Sequence, residues 1–315
     1  RGAKTFMKNI LICGSLAYDS IMVFHDYFKN HILPNQIDKL SVAFYVPEMK
    51  KNYGGTAGNI AYNLKLINGS PIIMSTVGED FLPYQKQLEK YKIDTKYIKT
   101  IEDYFTAQAF ITTDLNDSQI TSFHPGAMVE SHLNKLSSVS EKISLAIIAP
   151  DGKDGMIQHA NQCVDNKIPF LFDPGQGLPM FNKDELRQFI NQATYIAVNQ
   201  YESELLQEKS ELVISDIVSQ VEALIVTKGA DGSEIYTKKD FIKIPAITAK
   251  NTIDPTGCGD AYRAGLTFGI VNNFDWEKSA KLASILGSIK IQSQGGQNHS
   301  PTKEDIETLF GHALN

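Results

Sequence analysis

The sequence predicts an α/β protein whose central sheet is mostly parallel and is flanked by helices on both faces. The chain has 315 residues, of which 42% are hydrophobic and 21% are charged, the balance of a globular protein with a substantial core. From about residue 144 onward, short apolar runs of strand length alternate with segments that have helical spacing. Such alternation is typical of parallel strands joined by crossover helices, which cover both faces of a sheet.

The first part of the chain predicts strands and helices in a less regular order. Helical spacing indicates one helix that begins near residue 60 and another over residues 81–91. Apolar or alternating runs bounded by turn residues indicate strands, and Asn116-Asp117 between the last two favours a hairpin. The predicted strands are residues 9–17, 20–24, 37–46, 71–77, 107–114 and 119–124.

The second half supplies the regular alternation. Its predicted strands are residues 145–150, 169–173, 195–199 and 223–227, and its helices are residues 155–164, 183–192 and 201–208. Ligands of parallel sheets bind beyond the carboxyl ends of the strands, where Asp151, Asp173, Asn199 and Thr227 lie. No internal repeat or linker is visible, so we expect residues 1–315 to form a single domain.

The composition argues against several classes of protein. A net charge of −6 does not suggest a broad nucleic-acid-binding face, and no apolar run is long enough to span a membrane. Cys13, Cys163 and Cys258 lack the spacing of a disulfide framework or a zinc site. We expect a cytoplasmic protein without nucleic-acid or membrane partners. Residues 1–6 are interpreted as an addition before a natural start at Met7.

The chemistry is expected in the stretch NTIDPTGCGDAYRAGLTFG, residues 251–269. A polar, glycine-containing loop leads there directly into a helical pattern. Glycines let backbone N–H groups face a ligand, and the first turn of a helix favours anions through its free N–H groups and its dipole. Asp260 at the mouth of this site could accept a proton from a hydroxyl group that is being phosphorylated. The alternative is an ordinary helix N-cap.

Two motifs together carry a family resemblance. DPTGCGDAYRAG resembles the C-terminal signature of the ribokinase-like (pfkB) carbohydrate kinase family, usually met as D-T-x-G-A-G-D. YGGTAGN, residues 53–59, followed by a strand that ends in V-G-E-D, resembles the N-terminal signature. The Pro after Asp254 and the Tyr-Arg-Ala-Gly after Asp260 resemble the bacterial adenosine and nucleoside kinase branch. P-loop, protein-kinase and Rossmann motifs are absent from the sequence.

The resemblance implies a ribokinase-like fold and transfer of the γ-phosphoryl group of ATP to a primary hydroxyl group. Asp260 would act as the general base. The backbone amides of Gly257, Cys258 and Gly259 would form an anion hole for the moving phosphoryl group. Cys258 stands where Ala is usual in the family, and the exchange should be harmless because this role uses only the backbone.

The resemblance also places the sugar under a small β-sheet lid. Gly54 and Gly55 would let the sugar approach the backbone. Asp19 would bind two hydroxyl groups and Asn59 another. The alternatives are a turn residue for Asp19 and a glycine-rich helix start for the motif. The lid is assigned to two segments, about residues 19–46 and 104–124.

On the ATP side, Asn199 and Glu202 match the family's N-x-x-E motif near Mg²⁺ and the phosphates. Glu202 would act through water, because Mg²⁺ keeps several of its water ligands. Thr227, Gly229 and Gly232 match a glycine-containing loop that touches ATP. The alternatives are a helix capping box for the first pair and a tight turn for the loop.

Two further candidates lie near the predicted base. Arg263 is one turn after Asp260 on the same helix face, and would steady the transferred phosphate or pair with an acid near the substrate. A surface arginine is the alternative. Asp254, with residues 292–299, corresponds to the family's monovalent-cation site, where K⁺ would fix the anion-hole loop.

The implied acceptor is the 5′-hydroxyl of a nucleoside, with adenosine first. Tyr45, Phe105, Phe110 and Phe123 fall on predicted lid segments and could stack on a base, or pack in the lid or in a dimer interface. A ribokinase or fructokinase is the alternative enzyme. A non-catalytic nucleoside- or sugar-binding sensor is the alternative from another class. An exposed lid sheet would also allow a homodimer.

Overall fold

The computed structural model describes residues 8–32 and 41–314. The expectation for residues 1–6 and Met7 therefore lies outside the described residues, as does the first part of the strand predicted over residues 37–46. The strands, in chain order, are β1 Asn9–Cys13, β2 Ala17–Val23, β3 Glu48–Gly54, β4 Ser70–Val77, β5 Ile98–Thr100, β6 Ala107–Thr113, β7 Gln119–His124, β8 Ile143–Ile148, β9 Phe170–Phe172, β10 Tyr195–Asn199, β11 Ala223–Thr227, β12 Ser233–Thr237 and β13 Phe241–Ile244.

The central sheet is mostly parallel, as predicted. Among the described residues it has nine strands in the order β13-β12-β11-β10-β9-β8-β1-β4-β5. All neighbours from β11 to β5 run parallel. The antiparallel pairs are β11 with β12 and β12 with β13, which extend one edge of the sheet. The carboxyl ends of the parallel strands consequently meet along one side of the molecule.

Strand β1 shows why helices cover both faces of this sheet. All five of its residues are buried, and β1 pairs with β4 on one side and β8 on the other. Ile10 and Ile12 join the apolar cluster on one face, whereas Leu11 and Cys13 join the cluster on the opposite face. Since successive side chains of a strand alternate, a strand that is apolar throughout must be covered twice.

The helices of the described residues supply that cover. Helices α1, α2, α7, α8 and α9 contribute to one apolar cluster, and α3, α4, α5 and α6 contribute to the other. No helix within the described ranges is both long enough and apolar enough to cross a membrane. The bounds are α1 Thr56–Leu66, α2 Leu82–Lys90, α3 Lys153–Asp165, α4 Lys183–Gln192, α5 Gln200–Ser210, α6 Ile214–Gln220, α7 Cys258–Val271, α8 Trp276–Lys290 and α9 Lys303–Phe310.

Four strands form a second sheet in the order β3-β2-β6-β7, here called the small sheet. Strand β2 runs antiparallel to β3 and parallel to β6, and β6 runs antiparallel to β7, which confirms the predicted hairpin. The register pairs Asp19 with Ala109 and Ala109 with Phe123. These three side chains therefore share one face, and Phe110 lies on the other.

One predicted strand is wrong over its described part. Residues 41–46 form no strand, and the strand that pairs with β2 on this side is β3. Strand β3 is largely exposed and polar, and its sequence EMKKNYG lacks an apolar alternation. Pairing with β2 from Ala17↔Gly54 to Val23↔Glu48 fixes it as an edge strand. Backbone pairing is decisive at such an edge, so the side-chain pattern gives little signal.

Candidate active site

A cavity of about 350 Å³ lies where the small sheet meets the carboxyl ends of β8 and β9 and the N-termini of α1 and α7. A cavity of this size suits a small molecule. It brings together most of the residues that the two motifs predict for one site. The lining residues are Asp19, Gly55, Thr56, Asn59, Pro150, Asp173, Gly175, Gln176, Glu202, Thr256, Gly257, Gly259, Asp260 and Arg263.

Asp260 lies in the first turn of α7 and faces this cavity. Its Oδ2 accepts a hydrogen bond of 2.8 Å from Nδ2 of Asn59. Burial raises the pKa of Asp260 to about 7; the Asn59 hydrogen bond opposes this rise, and the negative charge of Asp173 adds to it. A carboxyl group with this pKa is suited to accept a proton near neutral pH.

Close contacts hold the amide of Asn59 in place. A Cβ on Gly296 would lie 2.3 Å from Asn59 Oδ1, and a Cβ on Gly257 would lie 3.3 Å from Asn59 Nδ2. Gln297 Nε2 donates to Asn59 Oδ1 at 3.2 Å, which leaves Nδ2 directed at Asp260. The resemblance implies a sugar hydroxyl as the partner of Asn59. The structure directs the Asn59 donor to the predicted base instead.

Gln297 and Tyr84 extend this network into the core. Gln297 Nε2 also donates to the hydroxyl of Tyr84 at 2.7 Å, and that hydroxyl donates to the carbonyl of Gly54 at 2.6 Å. Both side chains are buried. The network joins the backbone of the first glycine motif to the carboxylate of the second. The sequence assigns Gln297 only to the 292–299 segment of the implied cation site and gives no signal for Tyr84, so this network is not predicted.

Asp19 extends from β2 into the cavity. Burial raises the pKa of its carboxyl group to about 6, and the negative charge of Asp254 adds to the effect. A Cβ on Gly54 would lie 2.5 Å from Asp19 Oδ2, so the glycine makes room for this carboxylate. Gly55 has φ +84°, and a Cβ there would lie 2.5 Å from the carbonyl oxygen of Ser15. Both glycines thus serve the shape of the site.

The loop before α7 presents amides to the cavity. Gly257 has φ +78°, the left-handed conformation that favours glycine, and it is the N-cap of α7. The hydrogen bonds of the described residues leave the amides of Gly257 and Gly259 without an acceptor. The amide of Cys258, by contrast, donates to the carbonyl of Pro255 at 3.1 Å. Two of the three predicted anion-hole amides are therefore open.

Arg263 lines the cavity from the second turn of α7. Only 4% of its surface is exposed, and Nη2 lies 3.1 Å from Oδ1 of Asp173 and 3.2 Å from the carbonyl of Ala197. Its Nε has no hydrogen-bond partner within the described part of the chain. Arg263 is thus a buried, paired cation rather than the surface arginine considered as an alternative.

Asn199 and Glu202 form a capping box at the start of α5. Glu202 N donates to Asn199 Oδ1 and Asn199 N donates to Glu202 Oε2, both at 2.8 Å. Glu202 also lines the cavity, and burial raises its pKa above the ordinary value. The cap that the sequence offered as an alternative is present, and it orients Glu202 at the edge of the cavity.

The remaining loop predicted to touch ATP lies beside this cap and outside the cavity lining. Thr227 pairs with Asn199 across β11 and β10. The amide of Lys228 donates to the carbonyl of Gly232 at 2.8 Å, which closes a tight turn. Gly232 has φ +86°, and a Cβ there would lie 2.0 Å from the carbonyl of Ile244, whereas Gly229 faces open space in the described structure.

Asp254 and Lys290 occupy the place of the implied monovalent-cation site. Asp254 accepts hydrogen bonds from the amides of Thr256 at 2.9 Å and Gly295 at 2.7 Å. Lys290 Nζ donates to the carbonyl oxygens of Asp254 at 2.8 Å and Ser293 at 2.9 Å. These carbonyls already hold a cation, so the residues present do not fit K⁺. Lys290 is not predicted from the sequence, because a lysine at the end of a helix normally faces solvent.

The chain is similar to known proteins over most of its length. The family model described as pfkB family carbohydrate kinase matches residues 15–303. A nucleoside kinase of Burkholderia thailandensis, solved in complex with inosine, is 46% identical, with a TM-score of 0.86 over 96% of this chain and 97% of that chain. The same kinase has been solved in complex with ADP-inosine, with a TM-score of 0.84. A nucleoside kinase of Methanocaldococcus jannaschii is 33% identical over 87% of this chain and 91% of its own length.

Proposed function

The chain belongs to the pfkB family of carbohydrate kinases, and from this premise we propose that it transfers the γ-phosphoryl group of ATP to the 5′-hydroxyl of a nucleoside, with adenosine as the preferred acceptor. The observation that carries the proposal is Asp260, a cavity-facing carboxylate with a pKa of about 7 beside the open amides of the α7 N-terminus. The similarity to a nucleoside kinase solved with inosine and with ADP-inosine supports a nucleoside over a free sugar.

The chemical step is an in-line transfer that depends on position and charge. Asp260 accepts the proton of the 5′-hydroxyl group as its oxygen attacks the γ-phosphorus and the bond to ADP breaks. The amides of Gly257 and Gly259 donate to the oxygens of the transferred group, and the dipole of α7 adds positive potential. Cys258 contributes by closing the turn before α7, because its amide donates to the carbonyl of Pro255.

The nucleoside lies in the cavity against the face of the small sheet that carries Asp19. Asp19 accepts hydrogen bonds from two ribose hydroxyls, and Gly54 and Gly55 keep that space open. The register supports Phe123 as the ring that stacks on the base, because Phe123 shares the Asp19 face. Phe110 lies on the opposite face and is free for another contact.

Exposure distinguishes the other predicted aromatic residues. Tyr45 is 83% exposed and Phe105 is 67% exposed, so most of each side chain faces solvent. We propose that the small sheet acts as the lid of a single domain covering residues 1–315. Closure of the lid would exclude water, which otherwise competes with the nucleoside for the phosphoryl group.

ATP binds on the side of Asp173 and Glu202. We propose that Mg²⁺ accompanies it. No group of three or more His, Cys, Asp or Glu side chains suited to a metal occurs among residues 8–32 and 41–314, so ATP oxygens and water must supply most ligands. The carboxylates of Asp173 and Glu202 face the cavity and fit such a water-mediated site. The ion neutralises phosphate charge when it is bound.

Protein groups complete the ATP site. Arg263 lines the same cavity and would contact the phosphates. Asn199, Thr227, Gly229 and Gly232 continue the site beyond the cavity, since Thr227 pairs with Asn199. Cytoplasm, where ATP is abundant, is the proposed location.

The experiment measures ADP formation with adenosine, inosine, ribose and fructose for the wild type and Asp260→Asn side by side. We expect turnover with a nucleoside and a loss of about 10²–10⁴-fold in the variant, the range for removal of a general base. Turnover with free sugars alone would move the protein to the ribokinase or fructokinase type. Nucleoside binding by calorimetry without turnover on any acceptor would favour the non-catalytic sensor.

A further inference from the structure

Lys290 is a charged residue buried where the proposed reaction needs a fixed loop. It is the last residue of α8, and its side chain is 0% exposed. Its ammonium group donates to two backbone carbonyls, Asp254 O at 2.8 Å and Ser293 O at 2.9 Å. Burial of a lysine is unfavourable unless its charge is well bonded, so this arrangement requires a reason.

The two carbonyls belong to the two loops that meet beneath the anion hole. The amides of Ile253 and Asp254 both donate to the carbonyl of Ile291, at 2.8 and 3.2 Å. The amide of Gly295 donates to Oδ2 of Asp254 at 2.7 Å. The ammonium group of Lys290 adds one bond to the carbonyl of Asp254 and one to the carbonyl of Ser293. It ties the start of the 254–257 loop to the 292–297 loop, on which Gly257 rests.

We propose that Lys290 is a built-in monovalent cation: its ammonium group fixes the loop that presents the amides of Gly257 and Gly259 to the phosphoryl group, and makes the reaction independent of K⁺. The inference rests on the proposed phosphoryl transfer. An ammonium group and K⁺ carry the same charge and are of similar size. They compete for the same carbonyl oxygens, and the covalently held group is always present.

The surrounding charges agree with an ammonium ion at this position. Burial lowers the pKa of Lys290 below its ordinary value, and the electrostatic influence of Cys258 and Asp254 opposes this shift. Burial, and after it the positive charge of Lys290, lowers the pKa of His299 to about 4. His299 is therefore neutral near pH 7 and does not supply a competing cation. Hydrogen bonds from Gly295 and Thr256 outweigh burial and keep the pKa of Asp254 below its ordinary value, so its carboxylate balances the ammonium charge.

The test compares two substitutions that differ in the space they leave. Lys290→Ala removes the charge and opens room for an ion, whereas Lys290→Met removes the charge and fills the space. Lys281→Met is the matched control, because Lys281 is also on α8 and its Nζ also donates to a backbone carbonyl, that of Phe310 at 2.9 Å. Each protein is assayed in KCl and in tetramethylammonium chloride of equal ionic strength. The readouts are kcat, KM for adenosine, and Tm.

For the wild type and for Lys281→Met, we expect that replacing tetramethylammonium chloride with KCl changes neither kcat nor Tm. Both Lys290 variants should lose about tenfold or more in kcat in tetramethylammonium with little change in KM. KCl should restore kcat and raise Tm of Lys290→Ala but not of Lys290→Met. That difference separates a positioning cation from a residue that only fills space.

Three results would overturn the proposal. The first is an increase of about tenfold or more in the kcat of the wild type when KCl is present. The second is a kcat of Lys290→Ala equal to that of the wild type in tetramethylammonium chloride. The third is an equal change in kcat and Tm of the Ala and Met variants on addition of KCl. If neither variant folds, the wild-type response to KCl decides alone. If the wild type phosphorylates no acceptor, the proposed function fails, and the KCl-dependent Tm of Lys290→Ala still decides the role of Lys290.

Discussion

A carboxyl group that takes a proton from an alcohol must itself be ionised when the alcohol arrives. At the scale of single residues, the surroundings of Asp260 set this condition. Burial favours the protonated form, and the bond from Asn59 favours the carboxylate. The result is a pKa of about 7, which places the ionisation inside the ordinary working range. The protonation state of this one residue should therefore control the reaction rate.

The first prediction concerns the direction in which kcat/KM changes with pH. Since only the carboxylate acts as base, kcat/KM should fall by about tenfold per pH unit well below pH 7 and level off above it. Asn59→Ala removes a bond that lowers the pKa of Asp260, so its midpoint should move to higher pH. Initial rates from pH 5 to 9 measure both curves. A midpoint that Asn59→Ala leaves unchanged, or moves down, would contradict the assignment.

The second prediction concerns the loop amides. Gly257→Ala puts a Cβ at φ +78° and 3.1 Å from Gly296 Cα, so the loop must shift and kcat should fall by about 10²-fold. Cys258→Ala keeps the backbone and should stay within about twofold of wild type, because the role uses no side-chain atom. Steady-state kinetics compare the pair. Equal activity of Gly257→Ala and Cys258→Ala would argue against an anion hole.

At this scale, the sequence predicts the roles of residues that belong to a recognisable motif. Asp260, Asp19 and Gly55 were predicted and do line one cavity. The contact of Gln297 with Asn59 and the burial of Lys290 could not be predicted, because both depend on contacts made across the fold. A lysine at the end of a helix looks the same in sequence whether it faces solvent or a buried pair of carbonyls.

At the scale of secondary-structure elements, α7 must be held against α8 for its first turn to face the cavity. Gly265 permits this contact, since a Cβ there would lie 2.6 Å from Cα of Ala283 on α8. The obstruction is backbone, which cannot move aside as a flexible side chain can. The glycine therefore sets the distance between these two helices.

The third prediction uses two glycines inside helices. Gly265→Ala should lower the free energy of unfolding by about 1–3 kcal/mol, the cost of an overpacked contact. Gly287→Ala in α8 meets only the Cys258 carbonyl oxygen at 3.7 Å, and should raise stability by up to about 1 kcal/mol through helix propensity. Thermal and urea unfolding measure both. A Gly265→Ala protein as stable as wild type would show that α7 and α8 can move apart without loss of stability.

The same scale shows where sequence patterns succeed. Strands β10 and β11 and helix α4 have the predicted bounds, because apolar runs in a buried sheet and an amphipathic helix with a capping box give strong local signals. Strand β3 was not predicted, since its polar residues form a ladder only when β2 is present beside them. Edge strands depend on a partner that the local sequence does not contain.

At the scale of the whole molecule, the small sheet has two faces with different roles. One carries Asp19 toward the cavity. The other carries Met49, Phe110 and Ile120, which are 66%, 42% and 40% exposed. Apolar side chains grouped on an open sheet face are suited to contact with a second copy of the chain. We extend the proposed function to a homodimer formed through this face.

The fourth prediction tests that contact. Light scattering should give the wild type twice the mass of the chain, and the double variant Phe110→Lys/Ile120→Lys should give a monomer, because two charges would be buried in the interface. Val213→Lys is the control, since Val213 is 58% exposed and is the N-cap of α6, which contacts α4 and β11 rather than the small sheet. A wild-type monomer at working concentration would remove the dimer from the proposal.

The bond between Asn59 and Asp260 joins positions 201 residues apart in the chain. The turn between β12 and β13 falls between them, so a cut at that turn leaves Asp19 and Asn59 on one fragment and Asp260 on the other. We expect neither fragment to transfer phosphate alone, so the cut protein should work as a split reporter whose signal requires both pieces to meet. For the same reason, a chain whose synthesis stops before Asp260 should be unable to consume ATP.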